Sequence, residues 1–130
     1  MLKRPEVFHL FPELEKRYAM SRAWKVGDII YLSGFTAFDE RGNIVGPGDM
    51  GAQFRQIYKN MARTLAHFGV DLHHVIEQYV FVTDIDRVEE GIAVVRELWD
   101  GHEPPVAVGV EVKRLALPEM LVEIKATAYG

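Results

Sequence analysis

Between residues 49 and 68 the apolar side chains Met50, Phe54, Ile57, Met61, Leu65 and Phe68 recur at spacings of three and four. That spacing draws a single apolar stripe along about five turns of helix. Such a helix is held mainly by the surface its stripe covers, so the rest of the chain must supply an apolar floor. Asp49 is placed to cap the start and Gly69 to follow the end, while Arg55, Gln56, Lys59, Asn60 and Arg63 fill the polar side.

The floor is written in runs of the opposite periodicity. Arg22-Ala23-Trp24-Lys25-Val26 and Ile29-Ile30-Tyr31-Leu32-Ser33 flank Gly27-Asp28 and read as a tight hairpin. Residues 74–83 are rich in β-branched and aromatic types and read as a strand. In 106–113, Val106, Val108, Val110 and Val112 alternate with Ala107, Gly109, Glu111 and Lys113. In 120–128, Val122, Ile124, Ala126 and Ala128 alternate with Glu123, Lys125 and Thr127. A second helix is predicted over 87–99, with Val88, Ile92, Val95 and Trp99 as its stripe and Asp86 with Glu89 as a capping-box variant. Pro104-Pro105 stops it. Gly42, Gly46, Pro47 and Gly48 mark a loop, and residues 4–20 read as irregular, with a short helix or a loop at 14–17.

The resulting order, β-β-α-β-α-β-β, predicts an α+β domain over 1–130 with a mixed sheet and both helices on one face. The second face is expected to mix Tyr79, Phe81 and Ala107 with Glu111 and Glu123. A chain of 130 residues buries only about two thirds of its unfolded surface and cannot cover that face with its own helices. Self-association through it is the expectation.

Composition removes several functions. The chain has no cysteine, so disulfides, thiolate metal sites and a cysteine nucleophile are excluded. The formal net charge is −4 and no basic run exists, which disfavours nucleic-acid binding. No stretch approaches 18 consecutive apolar residues and the first ten residues do not match a signal peptide. The expectation is a cytoplasmic protein with no membrane partner. His73 and His74, placed on a strand edge, would face opposite ways with no carboxylate at ligand spacing, so no metal is expected. The glycines of the loop do not have the spacing of a phosphate cradle, and no cofactor is expected.

Six short segments together resemble one family. Ser21-Arg22-Ala23, Val26-Gly27-Asp28 and Leu32-Ser33-Gly34 are similar to the opening hairpin of the RidA/YjgF family, whose members are also filed as L-PSP endoribonucleases. Val80-Phe81-Val82-Thr83-Asp84 resembles its central strand. Pro105 with Val110-Glu111-Val112 and Arg114-Leu115 resembles its fourth, and residues 121–126 its last. The similarity spans roughly residues 20–128. It implies a chorismate-mutase-like fold, a homotrimer, small-molecule clefts between subunits, and hydrolysis of reactive enamines and imines to keto acids and ammonia.

The resemblance also implies a site, position by position. Glu123 matches the glutamate that orients or activates water. Ser33, Gly34 and Phe35 fall where the family's backbone lines the cleft. The family's carboxylate-binding arginine stands two residues after the strand-opening proline, and here that position is Ala107. Met20 stands for a tyrosine, Ile92 for a helix asparagine and Gly109 for a small or thiol residue. A carboxylate substrate would lose a charge-assisted hydrogen bond worth roughly 1.5–3 kcal/mol, about one to two orders of magnitude in affinity. Arg22 or Arg17 could supply a cation from another direction. Each residue has a plainer alternative: Glu123 as a solvated strand carboxylate, Ser33-Gly34 as a strand end, Arg22 as a surface or interface ion pair.

Three functions follow. The first is a RidA-like enamine or imine deaminase, a hydrolase acting on a small metabolite altered to suit Ala107. The second is a non-catalytic trimeric module that binds a small ligand or a protein partner in the same cleft. The third, a ribonuclease, is the least favoured, because the chain is acidic and shows no histidine-plus-base constellation.

Overall fold

The computed structural model describes residues 4–130. Six strands form one sheet: β1 (Glu6–Phe8), β2 (Ala23–Val26), β3 (Ile29–Leu32), β4 (Val75–Val82), β5 (Val106–Glu111) and β6 (Val122–Tyr129). Their spatial order is β1-β2-β3-β6-β4-β5. Only β4 and β5 run parallel, and the helix α3 (Val88–Leu98) makes the crossover between them. The helix α2 (Met50–His67) links β3 to β4, and the short α1 (Pro12–Arg17) follows β1.

The predicted stripe of α2 is the core. Met50, Phe54, Ile57, Met61 and Leu65 are buried against Ile30 and Leu32 of β3, Val80 and Val82 of β4, and Val122, Ile124, Ala126 and Ala128 of β6. Asp49 caps the helix by accepting from the Ala52 N–H at 3.0 Å, and Gly69 follows the end at φ +78°. The two helices share a face because Gly91 lets α3 close on α2. A Cβ there would lie 2.2 Å from the Phe54 ring.

Several expectations change. Residues 4–20 are not irregular: they add an edge strand and the α1 turn in front of the predicted order. Asp86 does not cap α3. A 3₁₀ turn at Ile85–Arg87 precedes the helix, Asp84 accepts from its Asp86 N–H at 3.1 Å, and Arg87 enters α3 without a side-chain cap. His73 and His74 lie in a 3₁₀ turn, Leu72–His74, whose capping residue Asp71 pairs with His74 at 3.0 Å.

The largest difference concerns β5. Its register with β4 sets Gln78 beside Ala107 and Val82 beside Glu111, on the side the helices cover. Ala107 and Glu111 therefore do not join Tyr79, Phe81 and Glu123 on the second face. The valines of β5 do. A row of paired residues crosses the whole sheet on that face: Val7, Trp24, Tyr31, Thr127, Glu77 and Val106. In the single chain Trp24 is 46% exposed, Tyr31 50% and Val106 68%.

Candidate functional site

Alternation along β6 buries Val122 and Ile124 completely and turns Glu123 to the other face, where it is half-buried. Two backbone bonds between Phe35 and Ile124, of 2.8 and 3.0 Å, fasten the segment after β3 to β6. They bring Gly34 against the Glu123 side chain. A Cβ at position 34 would lie 2.5 Å from Glu123 Oε2 and 2.9 Å from its Cδ. The carboxylate thus occupies space that only glycine leaves open.

Arg22 stands across Gly34 from Glu123, and it is no surface ion pair. It is 5% exposed. Its Nε donates to Glu15 Oε2 at 2.8 Å, and its Nη1 donates to Ser33 Oγ and the Gly34 carbonyl, both at 3.2 Å. Its guanidinium carbon lies 4.6 Å from the centre of the Phe35 ring. Glu15 is wholly buried, and its carboxylate also takes the Leu10 and Phe11 N–H groups at 3.2 and 2.9 Å and meets His9 Nδ1 at 2.8 Å. Such a fork is a rigid cation mount.

A cavity of about 160 Å³ lies beside Arg22, Gly34 and Glu123, with Tyr18, Met20 and Met120 among its walls. Burial raises the Glu123 pKa above the ordinary carboxylate range, and the charge of Arg22 opposes that rise without cancelling it. The phenol at this cavity is Tyr18, two residues before Met20, the position at which the resemblance places a tyrosine. Ala19 adopts φ +54° and closes α1 with two bonds, Ala19 N–H to Lys16 and Met20 N–H to Glu15. That turn sets both Tyr18 and Met20 at the cavity.

The remaining site positions gather elsewhere. Ile92, Ala107 and Gly109 line a cavity of about 250 Å³ between α3 and β5, together with Gln78, Val95 and Pro105. It lies on the helix side of the sheet, whereas Glu123 faces the other side. Within one chain the two groups do not meet. Ser33 holds Arg22 from behind, and Phe35, 1% exposed, lies in the core beneath the guanidinium. Arg17 is not beside Glu123. It lines a separate cavity of about 570 Å³, where Arg17, Arg41 and Arg63 are balanced by Glu13, Asp39 and Glu40. That cavity has the larger volume, but the carboxylate with the raised pKa is not in it.

Among the described residues no three histidine or acidic side chains are grouped to hold a metal ion. No described helix is long and apolar enough to cross a membrane.

The family model for Endoribonuclease L-PSP matches residues 12–130. A RutC family protein of Sulfurisphaera tokodaii is 35% identical over 104 residues, 80% of this chain and 82% of that one. The crystal structure of a YjgF-family member from Mycobacterium tuberculosis superposes with a TM-score of 0.85 at 31% identity, covering 98% of this chain and all of that one. A putative endoribonuclease of Thermotoga maritima superposes at 0.77 with 27% identity over 85% of each chain.

Proposed function

This chain belongs to the Endoribonuclease L-PSP family, with the YjgF fold, and on that premise we propose that it hydrolyses a small imine or enamine at Glu123. The observation that carries the reading is the placement of that carboxylate. It lies over Gly34, beside a cavity, with a pKa raised by burial and a fixed guanidinium nearby. A carboxylate poised closer to neutral pH than usual is suited to take and return one proton.

In the proposed reaction an enamine first becomes an iminium ion by taking one proton from solvent at carbon. Water held by Glu123 adds its oxygen to the iminium carbon and gives a proton to the carboxylate, while the C=N π pair moves to nitrogen. Glu123 returns that proton to the nitrogen. The C–N bond then breaks, ammonia departs, and the protonated carbonyl passes its proton to it. The products are a carbonyl compound and ammonium, and Glu123 ends as it began.

The site is complete only between subunits in this reading. The exposed row from Val7 to Val106 supports assembly as a homotrimer, as does the resemblance. Docking would set the Ala107 group of one subunit against the Glu123 group of the next. Ala107 also favours a changed substrate, and with it the second reading, a binding module without turnover.

The deciding experiment is Glu123→Gln, which keeps the shape and removes the proton carrier. Turnover of an imine panel, with 2-aminoacrylate generated in situ as its anionic member, should fall at least 100-fold for every substrate the wild type accepts. The assembly and melting temperature should hold. Unchanged turnover would show that Glu123 is not the proton carrier, whereas no turnover by the wild type on any imine favours the binding module.

A further inference from the structure

The cavity between α3 and β5 is walled by apolar side chains, among them Ile92, Val95 and Pro105, and contains no charged group. One polar side chain reaches it. Gln78 is 4% exposed, and its Oε1 accepts the hydroxyl proton of the fully buried Tyr58 at 2.8 Å. The buried phenol has no other acceptor among the described residues, so the amide oxygen is turned towards Tyr58 and the NH₂ away from it. That NH₂ donates to no described protein group. Register places Gln78 directly beside Ala107, whose methyl group leaves the amide uncovered.

We infer that this cavity binds a small uncharged molecule with one carbonyl or imine acceptor, anchored on the Gln78 amide. The NH₂ opens on the cavity, so a ligand acceptor there would take the place of water on a donor that no protein group holds. A carboxylate would instead be desolvated with no cation in this chain's own lining to compensate, and Arg22 is already paired with Glu15. The volume, about 250 Å³, lies below the roughly 300–1,000 Å³ of sites for drug-sized ligands. The ligand is therefore small and mostly hydrocarbon. The inference deepens the hydrolase reading by naming its substrate class, and rests on that reading only for the claim that the ligand is also the substrate.

Cyclohexyl methyl ketone and cyclohexanecarboxylate have nearly the same shape and differ in charge. Each is titrated into the native ¹⁵N-labelled assembly while the Gln78 side-chain NH₂ and the Ile92 and Ala107 amides are followed by NMR. The ketone is expected to shift all three and the carboxylate none. Gln78→Leu should weaken ketone binding roughly 2–10-fold. Ala107→Arg leaves the Tyr58–Gln78 pair intact, and it should fill the cavity and reverse the preference towards the carboxylate. This second variant carries the test if Gln78→Leu fails to fold. Carboxylate binding as tight as the ketone, ketone shifts confined to other residues, or an unchanged preference in Ala107→Arg would overturn the inference. Ketone binding at Gln78 without turnover of any imine sinks the hydrolase reading alone. Turnover of uncharged imines without a Gln78 shift sinks this inference alone.

Discussion

The Glu123 carboxylate and the Cα of Gly34 are packed so closely that a methyl group at 34 would lie 2.5 Å from Oε2. The atoms in the way are the far end of a flexible side chain, so the conflict resolves by displacing the carboxylate. Gly34→Ala should therefore change stability by no more than about 1 kcal/mol while reducing turnover at least tenfold. Thermal melting and steady-state rates on the same preparation separate the two effects. A variant with full activity would show that the position of Glu123 over Gly34 does not matter.

The raised pKa of Glu123 has a definite sign in pH. As the base it must be ionised, so kcat/KM should rise with pH through a midpoint above the ordinary glutamate value of about 4.3. Stability runs the other way. Between the unfolded and folded pKa values the native state holds the extra proton, so this group's contribution falls as pH rises through that window. Glu123→Gln should flatten both trends, as read by rate profiles and by melting temperature against pH.

Arg22 is mounted on a wholly buried carboxylate, and removing that charge exposes the dependence. Glu15→Gln keeps an acceptor for the neighbouring N–H groups but leaves the guanidinium uncompensated. A loss of about 3 kcal/mol or more is expected, together with a melting temperature lower by roughly 10 °C. Chemical denaturation measures it directly. A change within about 0.5 kcal/mol would place Arg22 in water.

Assembly should be visible in solution. Sedimentation velocity is expected to report about three times the chain mass at micromolar concentration. Val108 lies in the middle of the exposed β5 valines, and Val108→Asp should shift the protein towards monomer and abolish turnover. A monomeric wild type would remove the inter-subunit cleft altogether.

Much of the fold was legible because local periodicity records it. The α2 stripe, its Asp49 cap, the Gly27-Asp28 hairpin and the alternation around Glu123 all appear where expected. Those patterns depend on neighbours within a few residues, which a sequence displays directly. They also fixed that Val122 and Ile124 share a side opposite to Glu123.

Alternation does not say which face of a strand is covered, because a period of two is symmetric between faces. For β5 only the parallel register with β4 decided it, sending Ala107 to the helix side and the valines outward. The three anchors of the candidate site rest on turns and contacts that periodicity does not record. Arg22 finds Glu15 through the α1 turn, Tyr18 reaches the cavity through the left-handed Ala19, and Gln78 meets Tyr58 across 20 positions. Residue types and spacing determined most of the elements and the side of β6 that carries Glu123, and the resemblance singled out its carboxylate. Only folding decided which cation, phenol and amide stand at the two cavities, because turn geometry and cross-sheet contacts, not a repeating pattern, bring them there.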